Sequence, residues 1–175
     1  MFFETNDLIV DKLTLLDAED FHRICNQQFI LKWMNDWEME LEEVKNLLSF
    51  FISGYDVCSP KEIPYVLAIR TKAECLIGIC GFGSKEELGG DIEIAFFIDE
   101  NYARKGFMSQ VVNKAIEFYF SLTNEPYLCA LVDENNIPSK RILINNNFTF
   151  HNVNDQNGIL KPHYRVYVKH SNRSI

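Results

Sequence analysis

One carboxylate, Glu93, interrupts an otherwise apolar run, IEIAFFI at residues 92–98. A charge in such a run is costly unless it is paired, turned toward a cleft, or raised in pKa so that it can transfer a proton. Strand alternation puts Glu93 on one face with Ala95 and Phe97. The plainer alternative is that it lies near the strand's exposed start and meets water or a lysine. The run ends at Ile98, DENYARKGF follows, and helical spacing begins at Met108. Helix N-termini carry unpaired N–H groups and the positive end of the dipole, so a loop feeding one is a natural anion site. Gly106 would let backbone approach a ligand closely, Arg104 and Lys105 add positive charge, and Ser109 adds a hydroxyl. An ordinary turn with solvated charges is the competing reading. Further on, Asn136 stands three residues before Ser139 at the start of a short helix that follows a strand. Amide and hydroxyl would point beyond the strand ends, or would simply cap the helix.

These groups need elements to hold them. A strand-like run over 8–15 leads to a helix over 18–26 with Asp17 as a plausible N-cap, and a second helix starts at Leu41 with Gly54 as its terminator. Runs at 63–71, 75–83 and 92–98 follow without intervening helices, which predicts an antiparallel meander. A helix over 108–121, a strand over 127–132, and a helix from about Pro138 to Asn147 come next, with Asn147 suited to a left-handed C′ position. Two last strands are joined through NDQNGILKP, whose Asn157-Gly158 is a strong hairpin signal. The order β, α, α, β, β, β, α, β, α, β, β predicts one α+β domain over 1–175, with one parallel crossover from 92 to 132.

Composition narrows the classes. The 175 residues are 47% hydrophobic and 13% aromatic, with 14 Phe, as a packed interior requires. No apolar stretch approaches the ~18 residues of a spanning helix, and MFFETNDLIVDK lacks the pattern of a signal peptide. Five cysteines without a C-x-x-C pair read as reduced thiols, and hence as a cytoplasmic protein. A net charge of −8 argues against nucleic acid as partner. Gly81-Phe82-Gly83 fails as a dinucleotide fingerprint, since Glu86 occupies the third small position and another strand follows. The four histidines show no metal spacing, so no metal is expected.

The order of elements, with EIAFFIDENYARKGFMSQVV and ENNIPSKRILINNNF, resembles the GNAT superfamily of acyl-CoA-dependent N-acetyltransferases. Within it, the branch of ribosomal-protein N-terminal acetyltransferases (RimJ/RimL-like) is the most similar. The resemblance implies a three-layer fold with a mostly antiparallel sheet of about seven strands and about four helices. It implies acetyl-CoA as co-substrate. Phe97 and Ile98 would meet the pantetheine arm, and Arg104, Lys105, Gly106, Phe107, Met108 and Ser109 the pyrophosphate. Asn136 and Ser139 would contact the pantetheine side. Glu93 would act as base through a water, and Ser139 would steady the thiolate, because Leu143 stands where many relatives carry Tyr. The loop departs from the family at Ala103, Arg104 and Met108. The acceptor, a small amine or a protein N-terminus, would meet Trp33, Asn35, Asp36, Trp37, Glu38 and residues of the 151–165 hairpin, unless both Trp pack the core and the acids face solvent. A homodimer through a strand edge stays open. So does a rival class, a non-catalytic module that keeps the coenzyme site or only the fold.

Overall fold

The computed structural model describes residues 2–156 and 159–167. The strands are β1 (Phe3–Glu4), β2 (Leu8–Lys12), β3 (Tyr65–Thr71), β4 (Leu76–Ser84), β5 (Ile92–Ile98), β6 (Tyr127–Leu131), β7 (Thr149–Gln156) and β8 (Ile159–Tyr167). The helices are α1 (Ala18–Cys25), α2 (Gln28–Leu31), α3 (Leu41–Val57), α4 (Phe107–Leu122) and α5 (Ile137–Asn145). Among the described residues, eight strands form one sheet in the order β1-β2-β3-β4-β5-β6-β8-β7. Every pair is antiparallel except β5–β6. The mixed α/β architecture predicted from the sequence is therefore present. The additions to the expected count are β1, of two residues, and α2, of a single turn, both too short to carry a periodic signal. The Asn157-Gly158 turn lies outside the described residues, although the strands it was predicted to join do pair.

The sheet separates two apolar layers. On one face Ile94 and Ile98 pack with Met108, Val111, Val112 and Ala115 of α4 and Leu143 of α5. On the other, Phe97 packs with Phe21, Ile24, Val44 and Leu48 of α1 and α3. Buried β4, LIGICGFGS, runs between both layers, as its near-continuous apolar sequence requires.

Two local expectations are corrected. Gly54 does not end α3, which continues to Val57 and closes at left-handed Cys58 (φ 53°). A Cβ on Gly54 would stand 2.9 Å from the Pro64 carbonyl and from the Ile63 side chain, so glycine there permits close packing of helix on loop. Asp17 does not cap α1 with its side chain. Its carboxylate accepts from the Thr14 amide (2.7 Å) and from Nη1 and Nη2 of Arg70 on β3 (2.6 and 2.9 Å), tying the entry of α1 to the sheet.

Candidate active site

The one parallel joint of the sheet is also its weakest. β4 and β5 pair along their whole lengths, whereas β5 and β6 share one rung, Glu93 with Cys129. Hydrogen bonding alternates along an antiparallel strand. The Asp99 amide donates to the Ile77 carbonyl, so Phe97, Ala95 and Glu93 turn their backbone groups to β4. Those of Ile94, Phe96 and Ile98 face β6. Ile94 flanks the single rung, and past it β6 diverges and leaves the groups of Phe96 and Ile98 along an open seam. The Leu131 amide, next in line for the ladder, donates instead to Oε1 of Glu93 at 3.1 Å. Glu93 is therefore held where the strands part. Burial raises its pKa above the ordinary 4.5, more than Lys85 and the Leu131 amide lower it.

Beyond the seam lies the start of α4. Gly106, at φ 77° and ψ −1°, is its N-cap residue, and among the described residues no side chain bonds the amides of the first turn. Arg104 is also left-handed, at φ 62°. The approach to this turn is pinned at Asp99, only 1% exposed, whose carboxylate takes Arg23 of α1 and both the backbone and side-chain N–H groups of Asn101. Ser109 is tied to α5, where buried Asn146 donates to its hydroxyl at 3.3 Å and to the Ile142 carbonyl at 2.8 Å. At the other end of α5, Asn136 caps the helix by accepting from the Ser139 amide at 3.2 Å. The capping reading thus holds for its oxygen, and the residue lines the site.

These parts surround a cavity of about 1010 Å³. Of the residues singled out in the sequence, Trp33, Asn35, Asp36, Trp37, Glu93, Phe97, Ile98, Arg104, Gly106, Phe107, Met108, Ser109, Asn136 and Ser139 line it. Two do not. Lys105 turns aside and sets its ammonium 5.1 Å from the Tyr102 ring centre, and Glu38 is exposed outside the wall. Trp37 is half-buried against Phe97 (5.4 Å between ring centres) and Phe21, so it packs the core and lines the cavity at once. Phe29, Lys32, Lys85, Tyr102 and Arg141, which the sequence does not single out, also line it, as does Lys161 of the hairpin expected at the acceptor end. Arg141 carries a signal, being two residues past Ser139 and so in the first turns of the same helix. Lys85 sits in an unrelated segment and carries none.

A long phosphate-bearing ligand suits this arrangement. The uncapped turn offers amides, a Cβ on Gly106 would meet nothing within 4 Å, and the seam supplies unpaired backbone groups leading from that turn to Glu93. The sequence family described as the acetyltransferase (GNAT) domain matches residues 7–149. This chain belongs to that family. Membership makes it an acetyl-CoA-dependent N-acetyltransferase. Relatives include the uncharacterised N-acetyltransferase p20 of Bacillus licheniformis, 25% identical over 140 residues (79% of this chain, 77% of p20). Another is the uncharacterised N-acetyltransferase YoaA of Bacillus subtilis strain 168, 27% identical over 146 residues (83% and 81%). RimL, the ribosomal L7/L12 α-N-protein acetyltransferase solved with coenzyme A, shares the fold with a TM-score of 0.78 at 15% identity, covering 94% of this chain and 96% of RimL. The microcin C7 self-immunity acetyltransferase MccE, solved with acetyl-CoA and AMP, does so with a TM-score of 0.77 at 17% identity, covering 94% of each chain.

Seen as a GNAT chain, the departures in the loop have structural reasons. Arg104 occupies a left-handed position, which glycine adopts at no steric cost. Met108 is only 5% exposed and sends its side chain into the core with Val111 and Val112, leaving the mouth of the helix clear. Asn147, where the family has Gly, is left-handed at φ 66°, as expected of an Asn at C′. Leu143 is 1% exposed in the core beneath the cavity.

Proposed function

We propose that this acetyltransferase moves the acetyl group of acetyl-CoA to a primary amine, on a small molecule or at a protein N-terminus, by direct attack within a ternary complex. The observation that carries the reading is one cavity joining Glu93, the uncapped start of α4, and Ser139. Amides of residues 104–109 hold the pyrophosphate, with Arg104 and Arg141 as counter-charges and Lys105 more remote. Phe96 and Ile98 offer backbone groups to the pantetheine arm. Phe97, whose backbone is turned to β4, contributes its ring to the acceptor side. The amide of Asn136 borders the arm.

The acceptor's ammonium loses a proton to Glu93 by way of a water. Its nitrogen lone pair then bonds to the acetyl carbon, the C–S bond breaks, and the sulfur leaves as thiolate with a hydrogen bond from Ser139. The acylated nitrogen sheds its second proton to solvent as the amide forms, Glu93 returns its proton to solvent, and protonation of the thiolate completes the free thiol. A base whose pKa is raised toward neutrality suits this proton transfer, which contributes typically ~10²–10⁴-fold. A Trp33–Trp37 wall with Asp36 beside it can hold the cationic amine before deprotonation. The likeness to RimL and to MccE supports either kind of acceptor, since one acts on a protein N-terminus and the other was solved with AMP beside acetyl-CoA.

Calorimetric titration of acetyl-CoA into the chain and into Gly106→Glu, followed by acceptor-dependent thiol release, tests the proposal. Binding that Gly106→Glu abolishes, with turnover lost in Glu93→Gln, is the expected result. A folded chain that binds no acetyl-CoA, or near-normal turnover in both Glu93→Gln and Ser139→Ala, refutes it.

A further inference from the structure

Resting on that reading, we infer that the acceptor is an amine whose own body carries an anionic group, a carboxylate or phosphate, within a few atoms of the reacting nitrogen. The acceptor end of the cavity is built from residues 29–37, the outward face of β5, the turn after β4, and β8. Its charged residues are Lys32, Lys85 and Lys161 against Asp36 and Glu93. In a chain of net charge −8, this wall is weighted toward cations. Arg104, Asp133 and Arg141 also line the cavity, at the coenzyme end.

The three lysines come from separate segments and line one cavity with Glu93. The charges of Lys85 and Lys161 both lower the Glu93 pKa against its burial. Lys85 has a loose, exposed ion pair with Glu87 at 3.7 Å, and Lys161 has no ion-pair partner among the described residues. Lys32 rests 4.7 Å from the Trp33 ring centre, which leaves its charge beside the aromatic wall. An acceptor with a second positive charge would face these cations, whereas an acceptor with an anion beside its amine would place the amine toward Glu93 and the anion toward Lys85 and Lys161. Discrimination then comes from repulsion of the wrong acceptor as much as from attraction of the right one.

The expectation from the sequence, that acidic residues here draw in a plain cation, is narrowed accordingly. Asp36 stays on the wall, but Glu38 does not.

The test uses C-terminally amidated tetrapeptides beginning Ser-Asp, Ser-Ala or Ser-Lys and otherwise alanine. Ethanolamine, phosphoethanolamine and spermidine serve as small acceptors. Each is measured both by thiol release with acetyl-CoA and by calorimetric binding to the chain. We expect the aspartate peptide or phosphoethanolamine to lead its lysine or unphosphorylated counterpart by roughly tenfold in kcat/KM and in affinity, as one like-charge contact implies. Whichever of the two leads identifies a peptide or a small molecule as the source of the anion. Lys161→Glu and Lys85→Glu should each shrink or reverse the ranking. Anion-selective binding without turnover would support this wall and refute the transferase reading. Equal ranking, a lead for spermidine or the lysine peptide, or an unchanged ranking in both variants overturns the inference.

Discussion

Arg104 offers a way to separate two contributions of one residue. Its backbone is left-handed, at φ 62°, and its side chain is exposed on the rim of the cavity. A non-glycine residue in that region costs roughly 1–2 kcal/mol, and glycine relieves it while adding about 0.5–1 kcal/mol of chain entropy to be lost on folding. Arg104→Gly should therefore stabilise by roughly 0.5–1 kcal/mol, or about 1–4 °C in Tm for a chain of this size. The same change removes a solvated cation from the phosphate site. Such a contact is worth up to ~1 kcal/mol, so acetyl-CoA affinity should fall about fivefold. Arg104→Ala is the control, because it loses the same charge and keeps the left-handed strain. Thermal unfolding monitored by circular dichroism and calorimetric titration of acetyl-CoA should give a more stable Gly variant, an Ala variant no more stable than the parent, and equal loss of affinity in both. A destabilised Gly variant would refute the assigned backbone role. Unchanged affinity in both variants would refute the phosphate role.

Other outcomes follow from the same geometry. The acid limb of the kcat/KM profile should lie above the ordinary carboxylate range, because Glu93 must be ionised to act and its pKa is raised by burial. A folded state that holds this proton more tightly than the unfolded chain loses stability as pH rises through the folded pKa. Glu93→Gln should therefore unfold at a higher temperature than the parent at pH 7, and the gain should vanish below pH 4, about the unfolded value. Asn136→Ala should cost about 1 kcal/mol in urea unfolding through loss of the α5 cap, and Asn136→Asp should recover stability but not acetyl-CoA affinity, since it sets a carboxylate on the wall. For Asp17, burial raises the pKa, and the hydrogen bonds from Arg70 and the Thr14 amide more than offset it, so the net shift is downward. That stabilisation is present above the unfolded value of 3.8 and disappears as pH falls through the lower folded value. Asp17→Asn should cost on the order of 3 kcal/mol at pH 7, because Arg70 is left with less than its charge requires.

Much of the site was legible because its signals are local. A carboxylate in an apolar strand, a glycine at a strand-to-helix junction, and Asn-x-x-Ser at a helix start each imply their geometry from a few neighbours, and the cavity holds all of them. Asn147 was readable for the same reason, since its left-handed backbone is a property of one residue. What escaped depends on distant partners. Nothing near Asp17 announces that Arg70, 53 residues away, will claim its carboxylate before the helix amides can. Nothing near Lys85 says that the turn after β4 will line one cavity with Glu93, and the resemblance that placed the 151–165 hairpin there did not single out Lys161. Lys105 and Glu38 failed in the opposite sense. Both lie in the right segment, but side-chain direction at an exposed position follows the nearest favourable contact, which for Lys105 is Tyr102.

The single rung between β5 and β6 has a consequence for how the molecule opens. Cooperative unfolding units tend to follow supersecondary boundaries, and amides without partners exchange with solvent even inside a folded core. In the free chain, the amides of Phe96 and Ile98 should exchange their hydrogens orders of magnitude faster than those of the alternate residues Ala95 and Phe97, which pair with β4. A ligand lying along the seam would even out that alternation, and the pattern of protection would record its path residue by residue. Free of ligand, the sheet is two half-sheets bridged by α4 and α5, with one ladder rung and the Glu93 carboxylate as the stitches between them.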